Sequence, residues 1–223
     1  MVTIKVFAEG GVLEGDSADV KTMDNSAALR ESLNRIFSES IGKKDEVQII
    51  VEMQGGYKNV CKEFLKKKDA AIVMFIDSDC PLQNRVDWFE KLKDNDSIDI
   101  PKDFRANIYF MIQEMEAWIL KDLTSIERWA EREGLERTDR KPLEKHSLVY
   151  GKEVECISKP NDKLAQLVKH FFKKNGKKVR YGKLKTAPAI LDCIDVKILK
   201  SKDAELTRFS MNFNKEQFDR LVR

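Results

Sequence analysis

Short apolar runs and amphipathic segments alternate along the first half of the chain. Four runs rich in β-branched and aromatic residues predict strands, at Val2–Ala8, Val47–Met53, Ala70–Ile76 and Asn107–Ile112. The third run is almost continuously apolar, which is typical of a strand buried on both faces of a parallel sheet. Between and after these runs, apolar residues recur at helical spacing and predict helices at Asn25–Ile41 (with Asp24 as N-cap), Tyr57–Lys68, Asn84–Lys93 and Gln113–Arg132.

This alternation predicts an α/β fold, with a small, mostly parallel sheet of about four strands flanked by helices and joined by right-handed crossovers. Residues 134–162 are polar and irregular. Further helices are predicted at Leu164–Phe172 and Pro188–Ile194, with one or two more over Lys202–Arg223. We therefore expect an α/β core over residues 1–133 and a helical, basic C-terminal subdomain over residues 134–223, packed on that core.

Composition narrows the class of protein. The 223 residues are 42% hydrophobic and 35% charged, which suits one ordinary domain with a packed core. The chain contains no run of eighteen apolar residues and no leader-like N-terminus, so we expect a cytoplasmic protein without a membrane span. Four scattered cysteines and two histidines argue against a zinc site, a disulfide scaffold and a Ser-His-Asp triad.

The net charge of +3 conceals an asymmetry. Residues 1–162 carry 25 basic and 32 acidic side chains, a net −7, whereas residues 163–223 carry 16 basic and 6 acidic, a net +10. An acidic part that holds cations and a basic part that meets anions would suit a protein that binds a phosphate backbone through a divalent metal. The simpler alternative is a solvated basic helix and loop.

Carboxylates follow three of the four predicted strands. Glu9 follows the first strand, Asp77 and Asp79 follow the third, and Gln113, Glu114 and Glu116 follow the fourth. In an open α/β sheet these carboxyl ends form the functional crevice. Hard oxygen ligands without His or Cys select Mg²⁺ or Mn²⁺, which support phosphoryl transfer or phosphodiester hydrolysis.

We therefore expect Glu9, Asp77 and Asp79 to hold a metal ion and, with Glu116, to be catalytic; Glu9 would act as a ligand or as a general acid/base. Gln113 shares a helical face with Glu116 and would support the site, whereas Glu114 would point elsewhere. Gly10 and Gly11 would let a backbone or phosphate approach closely. The prediction requires the three ligands to meet, and an ion-paired lysine in the gap between them would argue against it.

Each of these signals has a plainer alternative. An Asp-x-Asp occurs on many surface loops, Glu9 could be a turn residue, and Glu116 could be a solvated helix residue. The combination of a glutamate after the first strand with Asp-x-Asp after the third is more specific than either part.

The basic segment between Lys163 and Leu191 holds nine Lys and Arg residues and no acidic residue. Basic residues with interleaved aromatics can grip a phosphate backbone and stack on bases. The candidate nucleic-acid contacts are Lys173, Lys174, Lys177, Lys178, Arg180, Tyr181, Lys183 and Lys185. Phe171 and Phe172 are expected in the core, as are the three tryptophans, and we expect neither His146 nor His170 to be a ligand.

Two of these pieces resemble the Toprim domain, the metal-dependent module of topoisomerases and primases. They are a strand ending in Phe7-Ala8-Glu9-Gly10 and a later strand ending in Phe75-Ile76-Asp77-Ser78-Asp79. The chain is also similar over most of its length to an uncharacterised bacterial family of Toprim-like proteins. The matching pieces are Glu9-Gly10-Gly11, Asp77-Ser78-Asp79, the segment from Met111 to Trp118, Ser158-Lys159-Pro160 with Leu164, and Tyr181-Gly182-Lys183.

This resemblance implies a Mg²⁺-dependent, nuclease-like protein, often encoded beside an ATPase in mobile or antiphage-defence loci. By analogy, Glu9 would be the general acid/base, and Asp77 and Asp79 would hold the metal. Cys80-Pro81 follows the Asp-x-Asp, where Toprim domains often have a glycine shortly afterwards.

Three functions remain open at this stage. The first is a metal-dependent nuclease that acts on DNA or RNA, contacts the nucleic acid through the basic segment and serves as the effector of an ATPase. The second is a non-catalytic subunit with a Toprim-like shape that binds nucleic acid or an ATPase. The third is a phosphatase with Asp77 as nucleophile, which is disfavoured because no threonine follows the Asp-x-Asp.

Overall fold

The structure of the chain is a computed structural model that describes residues 2–10, 20–42, 45–67, 71–79, 81, 85–183 and 185–213. Its centre is a sheet of four parallel strands in the order β2-β1-β3-β4. The strands are β1 (Val2–Glu9), β2 (Val47–Gln54), β3 (Ile72–Asp77) and β4 (Ile108–Met111). The predicted α/β fold with a small parallel sheet is confirmed.

Helices cover the sheet and form most of the C-terminal part. The helices are α1 (Val20–Ile41), α2 (Tyr57–Lys66), α3 (Arg85–Asp96), α4 (Glu116–Lys121), α5 (Thr124–Arg132), α6 (Pro160–Phe171), α7 (Ala187–Leu191), α8 (Val196–Lys202) and α9 (Ala204–Asn212). Short 3₁₀ helices lie at Lys102–Asn107, Leu143–Lys145 and Val154–Cys156. A small antiparallel sheet joins β5 (Glu136–Arg137), β6 (Phe172–Lys174) and β7 (Lys177–Lys178).

The sheet is buried on both faces, because alternate strand residues enter two separate apolar clusters. Val6 and Phe75 pack against α1 and the C-terminal helices, whereas Phe7 and Met74 pack against α2 and α3. The first cluster continues through Trp118 on α4 and reaches Phe209 on α9, within one body of buried side chains. The C-terminal helices are therefore part of the core that supports the sheet, while the division at residues 133 and 134 stays a prediction.

Charged side chains cover the free edge of β4. The backbone N–H of Phe110 donates to Oε2 of Glu205 at 3.1 Å. The carbonyl oxygen of Ile108 accepts hydrogen bonds from Arg85 and Arg208, and both arginines also pair with Glu205. Side chains from α3 and α9 thus supply the partners that a fifth strand would otherwise provide.

The predicted helix Gln113–Arg132 is wrong as a single element. Gln113 adopts a left-handed backbone (φ 67°), α4 begins only at Glu116, and the chain breaks again before α5. The break follows from Asp122, a buried carboxylate that accepts hydrogen bonds from Thr124, Arg128 and the backbone of Asp195. Gln113 and Glu116 therefore do not share a helical face, contrary to the prediction.

Other element boundaries also differ from the predictions. The first helix begins at Val20, so Asp24 lies inside it and is not its N-cap. Phe172 begins the strand β6 and does not end a helix, and α8 lies mostly before the predicted helix at Lys202–Arg223. Residues 214–223 lie outside the described part of the chain, as does Gly11. None of the described helices is both long enough and apolar enough to cross a membrane.

Candidate active site

Two carboxylates stand at the ends of neighbouring strands. Glu9 is the last residue of β1 and Asp77 is the last residue of β3, and these strands pair in parallel with Ala8 opposite Phe75. Parallel strands end at the same edge, so both side chains arrive at the carboxyl edge of the sheet. The backbone N–H of Tyr57, the first residue of α2, donates a hydrogen bond to the Glu9 carboxylate.

The loop after β3 is clasped to the loop after β4. The backbone N–H of Asp79 donates to the carbonyl oxygen of Gln113 at 2.9 Å, and the N–H of Gln113 donates to Oγ of Ser78 at 2.8 Å. The backbone of Asp79 is left-handed (φ 57°), like that of Gln113. Such conformations are costly for residues other than glycine and persist only where the surrounding contacts enforce them. The clasp therefore fixes where Asp77 and Asp79 lie relative to β4.

Behind this clasp lies a buried polar chain. The side chain of Gln113 donates from Nε2 to the carbonyl oxygen of Glu155 at 2.7 Å. The Glu155 carboxylate pairs with Lys121 at 2.6 Å, and Lys121 also binds Asp203 at 2.8 Å. Gln113 thus supports the site, as predicted, but through the backbone and this chain rather than through a shared helical face.

Glu116 is completely buried, with an exposed fraction of 0%. Its Oε1 accepts a hydrogen bond of 2.9 Å from the hydroxyl of Tyr181, and its Oε2 lies 3.6 Å from Nζ of Lys183. The alternative of a solvated helix residue is therefore wrong. Tyr181 and Lys183 come from the basic segment, which the structure brings to the carboxylates.

Lys183 forms ion pairs with three carboxylates of the site. Its Nζ lies 3.5 Å from Glu114, 3.6 Å from Glu116 and 4.0 Å from Asp77. Glu114, expected to point elsewhere, is therefore part of this cluster and also accepts a hydrogen bond from the backbone N–H of Asn161. We refer below to Glu9, Asp77, Asp79, Glu114 and Glu116 as the acidic cluster.

Burial and like charge shift the pKa values of Glu9, Asp77 and Glu116. Burial raises the pKa of Glu9, and the negative charge of Asp79 raises it further. Burial holds the pKa of Asp77 well above its ordinary value; the ammonium of Lys183 opposes this, and Glu9, Glu116 and Asp79 add to it. Burial likewise raises the pKa of Glu116, while Lys183 and the Tyr181 hydroxyl counteract it. The ion pairs of Lys183 bring together carboxylates that follow β3 and β4, and Glu9 stands at the end of the neighbouring strand β1.

The oxygen donors of the acidic cluster suit a divalent cation, whereas the spacing of its carboxylates suits one only partly. Its donors are hard carboxylate oxygens, and two buried atoms, Oδ1 of Asp77 and Oε2 of Glu116, have no hydrogen-bond partner among the described residues. However, within the described ranges no three His, Cys, Asp or Glu side chains are grouped closely enough to hold a metal ion. The Lys183 ammonium lies within the cluster, on the side of Asp77, Glu114 and Glu116. An ion-paired lysine between the predicted metal ligands would argue against a metal site, and Lys183 meets this condition in part.

A small hollow borders the Asp-x-Asp loop, and Lys183 is not among the residues that line it. It has a volume of about 60 Å³ and is bordered by Asp77, Ser78 and Asp79 together with Tyr57 and Trp88. Trp88, expected only to pack, is half-buried and reaches this hollow, whereas Trp118 and Trp129 are buried in the core as predicted. The Asp-x-Asp loop is therefore accessible from a side that Lys183 does not occupy.

The predicted nucleic-acid contacts fall into separate groups. Lys173 and Lys174 on β6 pair with Glu136 and Glu133, at 3.0 and 3.6 Å. Lys177, Lys178, Arg180 and Lys185 are exposed, and Lys185 borders a different pocket beside Arg132 and Asp192. Only Tyr181 and Lys183 contact the acidic cluster.

The structure also shows the surroundings of Gly10, of Phe171 and Phe172, and of the two histidines. A Cβ at Gly10 would lie 2.1 Å from the terminal methyl of Met53, so a larger residue requires that side chain to move. Phe171 and Phe172 are buried, as expected. The rings of His146 and His170 are in contact at a tilt of 58°, with centroids 4.8 Å apart, and His170 binds Asp139 at 3.0 Å.

The fold and the site define an α/β protein in which partly buried carboxylates and Lys183 meet at the carboxyl edge of a parallel sheet. The chain belongs to the family described as a domain of unknown function, DUF4276, which matches residues 24–211. No curated protein and no solved structure matches the chain. The expectation of an uncharacterised family is thus confirmed, whereas the Toprim resemblance stays a prediction.

Proposed function

We propose that the protein is a Mg²⁺- or Mn²⁺-dependent nuclease that hydrolyses phosphodiester bonds of DNA or RNA. The observation that carries this proposal is the buried Oδ1 of Asp77, which lacks a hydrogen-bond partner among the described residues; Oε2 of Glu116 also lacks one but already faces the ammonium of Lys183 at 3.6 Å. Buried polar atoms normally have partners, so such atoms favour a site that binds something further. The hard-oxygen donor set favours a divalent cation.

The residues of the cluster would divide the work. Asp77 and Asp79, held by the clasp to Gln113, would hold the metal together with Glu9. A bound divalent cation would neutralise charge on the phosphate and lower the pKa of a bound water. Burial raises the pKa of Glu9, which favours proton uptake by its carboxyl group relative to a solvated glutamate. Tyr181 would keep Glu116 oriented through its 2.9 Å hydrogen bond.

The basic segment supports nucleic acid as the substrate. Exposed lysines on β7 would contact backbone phosphates, and Lys183 would bring a phosphate towards the carboxylates. By the resemblance, the protein would act in the cytoplasm as the effector of an ATPase in antiphage defence.

The test is a cleavage assay with the purified full chain, Mn²⁺ or Mg²⁺, and a mixture of DNA and RNA. We expect metal-dependent cleavage that Asp77→Asn abolishes. The matched control is Glu52→Gln, since Glu52 is a carboxylate on β2 that pairs with Lys5 outside the cluster. Equal cleavage by Asp77→Asn and the wild type would rule out this active site.

A second candidate function is non-catalytic binding of nucleic acid or of an ATPase. The observation that favours it is Lys183, which already compensates part of the negative charge where a metal would bind. This function predicts nucleic-acid binding without metal, no cleavage by the wild type, and full biological activity after Glu9→Ala or Asp79→Ala.

A further inference from the structure

We propose that Lys183 couples nucleic-acid binding to metal binding. In the free protein its ammonium occupies the acidic cluster. When nucleic acid binds, Lys183 moves to a backbone phosphate, and the cluster becomes open to a divalent cation. This inference rests on the proposed function and adds the order in which nucleic acid and metal bind. The phosphodiester would bind first, and its binding would strengthen that of the metal.

The distances around Lys183 show a loosely held cation. Its three ion pairs measure 3.5, 3.6 and 4.0 Å, all longer than the 2.7–2.9 Å of a close charge-assisted hydrogen bond. Its side chain is 45% exposed. The ammonium is thus attracted by several carboxylates without being locked to any of them.

Lys121 provides a direct comparison within the same molecule. It also pairs with two carboxylates, but at 2.6 and 2.8 Å, and its side chain is only 3% exposed. Lys121 has the geometry of a structural ion pair, which is costly to break once it is buried. Lys183 differs in distance and in exposure, and both differences favour a cation that can change partner.

The backbone around Lys183 is anchored on both sides. Tyr181 is tied to Glu116, and the N–H of Thr186 donates to the carbonyl oxygen of Gly182 at 2.7 Å. The N–H of Gly182 donates in turn to Oγ1 of Thr186 at 3.2 Å. The side chain can therefore leave the cluster without rearrangement of the segment, because the long, flexible lysine stem spans the required displacement.

The direction of the coupling follows from charge. The ammonium of Lys183 and a divalent cation would compete for Asp77, the carboxylate that both contact, so Lys183 weakens metal binding in the free protein. A phosphate that pairs with Lys183 removes this competition and adds its own negative charge beside the metal. By linkage, the metal then strengthens phosphate binding by the same factor.

The experiment measures Mn²⁺ affinity by calorimetry, with and without a short phosphorothioate DNA duplex that resists cleavage. In the wild type we expect the duplex to strengthen Mn²⁺ binding by about tenfold, within the usual range of coupling factors. In Lys183→Met we expect Mn²⁺ to bind the free protein about tenfold more tightly than in the wild type, and the duplex to have little further effect. Lys183→Arg keeps the charge and should retain the weaker metal binding of the wild type.

The matched control is Lys197→Met, which removes one exposed lysine on α8 outside the acidic cluster and should leave Mn²⁺ affinity unchanged. Circular dichroism and denaturation establish that each variant is folded. Unchanged or weaker Mn²⁺ binding by folded Lys183→Met would overturn the coupling while leaving the metal site intact. No Mn²⁺ binding by any variant, with or without duplex, would overturn the coupling and the proposed nuclease together.

Discussion

The backbone N–H of Asp79 donates a 2.9 Å hydrogen bond to the carbonyl oxygen of Gln113, and both residues adopt left-handed backbone conformations. This contact links the loop after β3 to the loop after β4, so the Asp-x-Asp segment is placed by a residue 34 positions away in the chain. The geometry of the acidic cluster therefore depends on backbone conformation as much as on side-chain identity.

The cost of the left-handed backbone at Gln113 can be measured with two variants. Gln113→Ala and Gln113→Gly both remove the side-chain hydrogen bond to Glu155, but only glycine adopts φ 67° without strain. We expect Gln113→Gly to be more stable than Gln113→Ala by about 1 kcal/mol, measured by urea denaturation. Equal stabilities would show that the left-handed conformation is not maintained in solution.

The raised pKa of Asp77 predicts how stability depends on pH. A carboxyl whose pKa is higher in the folded than in the unfolded state binds protons more tightly when folded, so its contribution favours folding at low pH and is lost as pH rises. Glu9 and Glu116 shift in the same direction. In metal-free buffer we expect the free energy of unfolding attributable to these groups to decrease from about pH 4 upwards.

The substitution Asp77→Asn removes the largest of these shifts. Because the amide carries no charge, we expect it to stabilise the metal-free protein at pH 8 by about 1 kcal/mol, while it removes the proposed activity. Denaturation curves at pH 5 and pH 8 test this, since the gain should shrink at the lower pH. Stabilisation of the same size at both values would assign the effect to something other than the charge of Asp77.

Lys121 should be essential for stability, in contrast to exposed lysines. Lys121→Met leaves the buried Asp203 without its ion pair, and we expect a loss of about 3–5 kcal/mol in the free energy of unfolding. The control is Lys93→Met, which breaks an exposed pair with Asp99 and should change the free energy of unfolding far less. A small effect of Lys121→Met would show that the polar chain behind the clasp contributes little to folding.

The β6–β7 hairpin offers a test of nucleic-acid contacts. Within the described chain, no carboxylate lies at ion-pair distance from Lys177 or Lys178, whereas Lys173 and Lys174 are already paired. We expect Lys177→Gln/Lys178→Gln to weaken DNA binding more than Lys173→Gln/Lys174→Gln. The log–log salt slope should fall by roughly 0.9 for each lost phosphate contact. Equal effects of the two double variants would place the DNA elsewhere.

The sheet and the strand-end carboxylates could be predicted because they depend on local patterns. Each strand is a short apolar run, and parallel strands deliver their C-terminal residues to one edge. This logic placed Glu9, Asp77 and Asp79 correctly at the strand ends. It wrongly placed Glu114 outside the site, because it assumed a continuous helix from Gln113, whereas Gln113 has a left-handed backbone and α4 begins only at Glu116.

The spacing of apolar residues does not predict contacts between segments that are distant in the chain. The position of Lys183 among three carboxylates depends on how α6 and the β6–β7 hairpin pack, which apolar spacing does not reveal. The hairpin itself had a local signal in Asn175-Gly176, whose residues both have positive φ, at 52° and 75°. The lysines on both sides of this turn do not alternate with apolar residues as a typical strand does, so the two strands were not predicted.

The ion pairs along the edge of β4 have a consequence for the order in which the molecule can be assembled. Arg85 and Glu205 lie 120 positions apart in the chain, so β4 remains an open strand until α9 docks. An incomplete chain lacking α9 would expose the N–H of Phe110 to strands of other molecules and would leave the carbonyl oxygen of Ile108 with Arg85 alone, a hazard that leads to aggregation. The helix α9 therefore protects the edge strand β4 from pairing with strands of other molecules.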